Sequence, residues 1–380
     1  MIKVPFNRPT LAGNELKYIH EALERGHLSG HGHFTVKCQR FLEENLGGGR
    51  ALLTHSCTAA LEMSALLCEL GPGDEVIMPS WTFSSTANAF ALRGAVPVFV
   101  DVRPDTLNID EELIPPAITP RTKAICVVHY AGVGAEMDAI MMIANHHGLK
   151  VIEDAAQGLF AKYKGKPLGT FGHFSAFSFH ETKNIISGEG GALVVNDPSA
   201  FARSEIIWEK GTNRAQFKRA EVARYTWLDI GSSYLPSDII AAFLYAQLER
   251  GQAVTSQRVA QWRRYHDLLS GLESEGLLSR PVVPNTSQSN GHIYYALLGN
   301  PDRRDAILQN LWADGMAAII HYIPLHSSPA GLRFGRTAGA MTHTNDIASR
   351  LIRLPLHPQL TAEHQEYAVS RLARELREGR

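Results

Sequence analysis

From residue 73 onward, short apolar runs recur between polar punctuation. GDEVIMP, AVPVFVDV, TKAICVVHY, LKVIEDAAQ, HFSAFSFH and GGALVVND are rich in β-branched or aromatic residues and bounded by glycine, proline or aspartate, which predicts a strand at each. Between the earlier runs, TANAFALRG and AEMDAIMMIANHHG carry apolar residues at helical spacing and end in glycine. Strand and helix therefore alternate, the pattern of an α/β architecture with a mostly parallel sheet covered on both faces. A longer helical stretch over 236–272 mixes apolar spacing with arginine and glutamine and is suited to bridging two units. Beyond it, HIYYALLG, AAIIHYIPLH and TAEHQEYAVSRLAREL read as strands and helices of a smaller α+β domain. The expected division is 1–250 for a large domain that includes the N-terminal segment and 251–380 for a small one. No internal repeat and no low-complexity segment interrupts this pattern.

Length supports the division, because 380 residues exceed the size at which a single core usually stops growing, and two domains leave a cleft between them. Hydrophobic residues make up 44% and charged residues 20%, as in an ordinary globular protein. The formal net charge of −1 gives no electrostatic reason to expect nucleic acid or an anionic membrane, so the expected partner is a small molecule. The cysteines are Cys38, Cys57, Cys68 and Cys126, with no CxxC pair, which suggests neither a disulfide framework nor a zinc knuckle and fits a reducing cytoplasm. MIKVPFNRPT at the start lacks the apolar region of a signal peptide, and no apolar run reaches the roughly 18 residues needed to span a bilayer. A cytoplasmic location is expected.

Three stretches carry candidate chemistry. In THSCTAALEM, Ser56, Cys57 and Thr58 stand just before a helical run starting at Ala59; they serve either as an N-cap or as donors to a bound phosphate at a helix start. In VIEDAAQG, Glu153 and Asp154 fall at the C-terminal edge of a strand, where open α/β sheets bind ligands and where a carboxylate also often caps the next helix. In SFHETKNIISGEGG, Lys183 follows the alternating strand and precedes a glycine run. It is either a solvated loop lysine or, with its pKa lowered, a nucleophile toward a carbonyl. Together the three supply what pyridoxal 5′-phosphate needs: phosphate donors, an acid for the pyridinium nitrogen and an amine for the aldehyde. Trp81 and Phe83, in PSWTFSSTANA, follow a strand and either could stack on a flat ring.

Competing chemistries lack their residues. HETKN has Asn184 where a zincin motif needs its second histidine, and there is no GxSxG elbow, no GxxxxGK[ST] loop and no GxGxxG after the first strand. His31 and His33 in HGHF have no third ligand at matching spacing, so a polar turn is expected there and no metal site. His146 and His147 in NHHG suit a helix C-terminus, where the dipole favours positive charge.

The chain resembles the sugar-nucleotide aminotransferases of the DegT type, within the aspartate aminotransferase fold, fold type I of the pyridoxal-phosphate enzymes. The likeness runs in order through PFNRP, LTHSCTAALEM, DEVIMPSWTFSSTANA, FVDVRPDTLNID, VHYAGVGAEMD, VIEDAAQG, GTFGHFSAFSFHETKN, GEGGALVVND, EKGTNR, YLPSDIIAA, HYIPLH and RLPLHPQL. The resemblance implies a large α/β/α domain with a mostly parallel mixed sheet and a smaller C-terminal α+β domain. It makes Lys183 the lysine that bonds the cofactor and Asp154 the partner of the pyridine nitrogen. It sets Gln157 against the ring O3′, Phe83 on the ring face, and Thr58, the Ala59 backbone and Ser178 on the phosphate. Relatives often send an asparagine of an NYR motif to that phosphate from the neighbouring subunit; here the motif reads SYL, with Ser233 in that place. His180, Asn184, Arg214, His321 and Tyr322 are the candidate sugar and nucleotide contacts. The implied reaction moves the amino group of L-glutamate to a dTDP-linked ketosugar, dTDP-4-dehydro-6-deoxy-D-glucose, aminated at C4, in a homodimer with shared active sites.

Overall fold

A computed structural model describes residues 3–378. Met1, Ile2, Gly379 and Arg380, which begin and end the expected units and include the first two residues of the expected leaderless N-terminus, lie outside the described residues. Each of the six strands expected from GDEVIMP to GGALVVND forms: β2 (Glu75–Pro79), β3 (Val96–Val100), β4 (Thr122–Val128), β5 (Lys150–Asp154), β6 (Phe174–Ser178) and β7 (Gly191–Val195). β1 (Arg50–Thr54) precedes them, and the late segment β10 (Arg336–Thr337) completes an eight-stranded sheet in the order β1-β7-β6-β5-β4-β2-β3-β10. Only β7 runs against its neighbours, pairing antiparallel with β1 and β6, so the mostly parallel expectation holds. The strands are buried almost throughout, as a sheet covered on both faces requires.

Helices cover both faces of this sheet. α1 (His33–Leu46) and α2 (Cys57–Leu67) flank β1; α3 (Ser84–Ala91) and α4 (Met137–His147) follow β2 and β4. α4 ends on His146 and His147 with Gly148 in the left-handed region, the C-terminus that the NHHG pattern suggests. The long helical stretch is broken: α5 (Asp238–Glu249) and α6 (Gly251–Leu268) meet at Arg250, where a Cβ on Gly251 would lie 2.5 Å from the Phe160 ring. Asp238 at the start of α5 accepts hydrogen bonds from the Phe34 and Thr35 backbones at 3.2 and 2.8 Å, tying α5 to the start of α1.

A separate apolar cluster gathers Tyr265, Leu272, Tyr294, Leu311, Ile352 and Leu372, together with Val4 from the chain start. It is built on β8 (Leu278–Ser279), β9 (Tyr294–Leu298) and β11 (Leu351–Leu354), covered by α7 (Arg304–Ala313) and α9 (Ala362–Arg377). AAIIHYIPLH does not form the expected strand. One isolated bridge, Ile319 to Arg353, precedes an irregular turn. A strand would send His321 and Tyr322 to opposite faces, whereas here their rings stack, 3.6 Å between centroids. The C-terminal part is also stitched back to the large sheet. Arg336 reaches Glu75 at 2.9 Å, and Asp101, just after β3, accepts from the His343 and Thr344 backbones at the start of α8 (Thr342–Arg350).

Candidate active site

The carboxyl ends of β1, β2, β4, β5 and β6 share one edge of the sheet, and strand order reverses between β2 and β4, the position where such sheets bind ligands. A cleft of about 690 Å³ opens there, within the range of small-molecule sites. Its floor comes from the strand ends and its far wall from β11 and residues 319–322.

Lys183 lies five residues past the end of β6, in a turn closed by its own N–H donating to the His180 carbonyl at 2.9 Å. Burial depresses the lysine pKa, and the nearby Arg353 guanidinium adds to the effect, while Cys57 and Asp154 oppose it. A desolvated amine gives up its proton more readily than an ordinary lysine, which favours its action as a nucleophile. The glycines that follow serve two purposes. Gly188 adopts a φ of 80° in the turn. Gly191 lets the chain pass close to the β1–α2 connection, because a Cβ there would lie 2.4 Å from the Ser56 carbonyl carbon and 2.5 Å from the Cys57 nitrogen.

Glu153 and Asp154 point to opposite sides of β5. Glu153 is fully buried behind the site, accepting from the backbones of Gly169, Phe171 and Gly172 at 2.7, 2.7 and 2.6 Å and lying 2.8 Å from His129 Nε2. Burial alone would raise its pKa, but His129 and these amides outweigh it and hold the carboxyl below the usual value. His129 Nδ1 accepts from the Ala135 N–H at 3.3 Å, which leaves Nε2 as the nitrogen that donates to Glu153. Asp154 faces the cleft, and burial raises its pKa against the pull of Thr86, the Ala156 amide and Lys183. Thr86 donates to its Oδ2 at 2.7 Å, so the 2.8 Å contact between Thr82 and Thr86 must have Thr82 as donor. A buried carboxylate supported by one hydroxyl and one amide, and with no ion pair among the described residues, is suited to hold a protonated ring nitrogen.

At the other side of the cleft α2 begins at Cys57, two residues earlier than the expected Ala59, with Ser56 as N-cap accepting from the Ala59 N–H at 3.1 Å. Thr58 donates to Ser85 at 2.8 Å, and Ser178 closes β6 beside them; Thr58 and Ser178 line the cleft. The N-cap and phosphate-donor readings meet at one helix start that opens on the cleft, and the Ala59 N–H expected on the phosphate donates to Ser56 Oγ here. Phe83, the residue before α3, lines the cleft with 61% of its surface exposed, as a stacking ring awaiting a partner would. Trp81 is buried instead, against Tyr130 and Tyr322. Gln157 accepts from the Ala131 N–H and donates to the Tyr322 hydroxyl, both within 2.9 Å, so Tyr322 keeps its own proton free.

Of the expected substrate contacts, His180, His321 and Tyr322 line the cleft. Tyr130 OH and His321 Nδ1 are 2.7 Å apart. Asn184 turns away, its amide donating to the Asn290 carbonyl at 3.0 Å and its oxygen 3.1 Å from His292 Nδ1. Arg214 starts a short helix and lies 3.9 Å from Glu209, outside the cleft of its own chain. Ser233, exposed and bridged to Glu209, is also outside it. His31 Nδ1 sits 3.6 Å from Glu209 and His33 opens α1; Gly32 between them is forced by Asp238, which a Cβ would meet at 2.4 Å. Among the described residues no group of three or more metal-ligating side chains occurs, and no described helix is long and apolar enough to cross a membrane. Sequence reasoning missed Arg258, His292 and Arg353, which also line the cleft. They come from the far C-terminal third, where no motif near the lysine points to them.

A desolvated lysine, a buried aspartate, a capped helix start and an exposed ring around one cleft fit pyridoxal phosphate, and with this sheet they define a fold type I pyridoxal-phosphate enzyme. More narrowly, the chain belongs to the DegT/DnrJ/EryC1/StrS aminotransferase family, which it matches over residues 9–373. It is 32% identical over 369 residues to the spore coat polysaccharide biosynthesis protein SpsC of Bacillus subtilis, covering 94% of this chain and 93% of that one. Its fold is similar to that of the aminotransferase TlmJ from Streptoalloteichus hindustanus, with a TM-score of 0.90, 29% identity and coverage of 99% and 100% of the two chains. Spr1654 of Streptococcus pneumoniae, solved in a PLP form, superposes with a TM-score of 0.90 at 26% identity, covering 99% of both chains. The protein is therefore a pyridoxal-phosphate aminotransferase of the sugar-modifying kind.

Proposed function

We propose that the protein is a dTDP-4-amino-4,6-dideoxygalactose transaminase, taking the amino group of L-glutamate to C4 of dTDP-4-dehydro-6-deoxy-D-glucose and releasing 2-oxoglutarate. The observation that carries the reading is the free Lys183 amine in the same cleft as buried Asp154, within a chain of the sugar aminotransferase family. SFHETKN, EKGTNR, DIGSSYLPSD and HYIPLH support the finer choice of sugar through their resemblance to that transaminase, and with it a place in the enterobacterial common antigen pathway and lipopolysaccharide biosynthesis in the cytoplasm. When bound, the cofactor supplies a carbonyl for the donor amine and a ring that accepts electrons. Asp154 holds the proton on the ring nitrogen, and Gln157 and Tyr322 orient the neighbouring ring oxygen. Lys183 Nζ takes the proton from the donor Cα and later delivers one to sugar C4, so the face it occupies sets the configuration there.

The same reading assigns 1–250 and 251–380 as the two domains and a homodimer as the working unit. Arg214 and Ser233 lie outside their own cleft, on a segment that also exposes Trp227 and Ile230, which supports their reaching a partner's site across a two-fold contact. The test is incubation with dTDP-4-dehydro-6-deoxyglucose and L-glutamate followed by NMR of the sugar. An axial C4 amine is expected; no aminated sugar, or an equatorial amine, rejects the assignment.

A further inference from the structure

One side chain of the cleft wall presents a lone pair among cations. His292, just before β9, is buried, and the chain leading into it is clamped. Arg258, from α6, donates to the main-chain carbonyls of Gly291 and His292 at 3.2 and 2.6 Å. Asn290 donates to the Gln157 and Leu159 carbonyls, both at 2.8 Å. The His292 ring meets Asn184, the residue after Lys183, with Nδ1 3.1 Å from Asn184 Oδ1. Asn184 spends its NH₂ group on the Asn290 carbonyl at 3.0 Å, so the atom facing His292 is the amide oxygen, which only accepts. Nδ1 must therefore carry the hydrogen. Burial, with Lys183, Arg258 and Arg353 nearby, pushes the His292 pKa well below its ordinary value, so the ring is neutral and carries one N–H. Nε2 is left as an acceptor, with no hydrogen bond among the described residues, on a ring that lines the cleft.

An acceptor in that place sorts the groups that the two substrates bring. The carboxylates of L-glutamate and the phosphates of a nucleotide have no hydrogen to give at neutral pH and would set lone pair against lone pair at Nε2. The neighbouring cations draw them instead; Arg353, for one, has an Nε with no hydrogen-bond partner among the described residues. The donor amine is engaged with the cofactor. What remains is a hydroxyl of the sugar. His292 is tied to the residue next to Lys183, and Lys183 serves C4, so the hydroxyl within reach is the one on C3, the carbon bonded to the reacting one. We propose that His292 Nε2 accepts a hydrogen bond from the C3 hydroxyl of the ketosugar, which makes His292 a specificity-determining residue for the acceptor half of the reaction. This rests on the transamination reading above.

The test titrates wild type, His292→Phe and His292→Gln, as holoenzymes, with dTDP-6-deoxygalactose and dTDP-3,6-dideoxygalactose by calorimetry. The two ligands share the nucleotide, carry a C4 hydroxyl in place of the ketone so that no amine is transferred, and differ only in the C3 hydroxyl. Wild type is expected to bind the first about ten- to a hundredfold more tightly than the second. His292→Phe should lose that preference by weakening toward the first sugar alone. His292→Gln, whose amide oxygen can stand where Nε2 stood, should restore part of it. Equal affinity for the two sugars in wild type overturns the proposal, as does a His292→Phe that weakens both alike or keeps the preference. A wild type that shows the preference yet makes no axial C4 amine from dTDP-4-dehydro-6-deoxyglucose would leave the hydroxyl contact standing and reject the reaction assigned above. One that makes the amine without the preference does the reverse, and one that binds neither sugar rejects both.

Discussion

The Thr86 hydroxyl offers a way to measure how much Asp154 depends on its surroundings. Thr86→Val keeps shape and volume while removing the donor 2.7 Å from Oδ2, and it also leaves Thr82 without its acceptor. A hydrogen bond to a charged group contributes about 1.5–3 kcal/mol, and losing it pushes further up a pKa that burial has already raised. The sign follows from that direction. A carboxyl whose folded pKa is raised opposes folding where it is ionised, so its penalty is present above the folded pKa and vanishes below the ordinary carboxylate range. Unfolding entropy of about 2.1 cal/mol/K per residue over 380 residues gives roughly 0.8 kcal/mol/K. Thr86→Val in the cofactor-free protein should therefore melt ~2–4 °C below wild type at mildly alkaline pH, with the gap narrowing as the pH falls toward the ordinary carboxylate range. Scanning calorimetry across that interval, with Thr86→Ser as the variant that keeps the hydroxyl, measures it. A gap of constant size at every pH would show that Thr86 acts by packing alone and would refute the account of Asp154.

Lys183→Ala should abolish the visible absorbance of covalently bound cofactor while leaving the fold intact by circular dichroism; absorbance that survives would displace Lys183 from its role. Gly191→Ala drives a methyl group into the Ser56–Cys57 backbone at 2.4–2.5 Å and should cost about 1–3 kcal/mol. Because the strain falls on the start of α2, cofactor affinity, followed by fluorescence titration, should drop roughly tenfold or more. Glu153→Gln places an NH₂ group among three backbone donors and His129 and should cost ~3–5 kcal/mol by denaturant titration at neutral pH. Since the Glu153 pKa is lowered in the folded protein, its stabilisation is present above the unfolded value and is lost as the pH falls through the folded one. The difference between Glu153→Gln and wild type should shrink in that acidic interval.

The parts of the fold that were legible in the sequence are those where local pattern and tertiary environment agree. β2 to β7 are apolar runs long enough to be buried on both faces, and α4 carries its stop signal in Gly148. β1 is not legible because RALLT follows three glycines and has only its closing threonine among β-branched or aromatic residues, although a strand there is what delivers HSCT to the helix start. Gly251, beside the break at Arg250, packs against the Phe160 ring, which is remote in sequence, and the stacked His321 and Tyr322 rings of 319–324 face a cleft whose other walls are remote as well. The same holds in the site. Lys183, Asp154, Thr58, Gln157 and Phe83 sit at strand ends or helix starts whose signals are local. Asn184 shares a motif with Lys183 but points to Asn290, because successive residues of a turn diverge. Arg353 stands in an ordinary strand, and its lack of a partner is visible only in three dimensions.

The pairing of β10 on β3 has a consequence for the birth of the molecule. β3 ends at Val100, yet among the described residues the strand that pairs on its outer edge is Arg336–Thr337. A ribosome adding about 5–20 residues per second needs roughly 12–50 s to make the intervening chain. Throughout that interval the margin of the sheet stays open, a template for other chains. The nascent protein depends on its C-terminal third to protect a surface made long before, so a truncation after Phe334 should aggregate during synthesis even though the residues of the lysine site are already present.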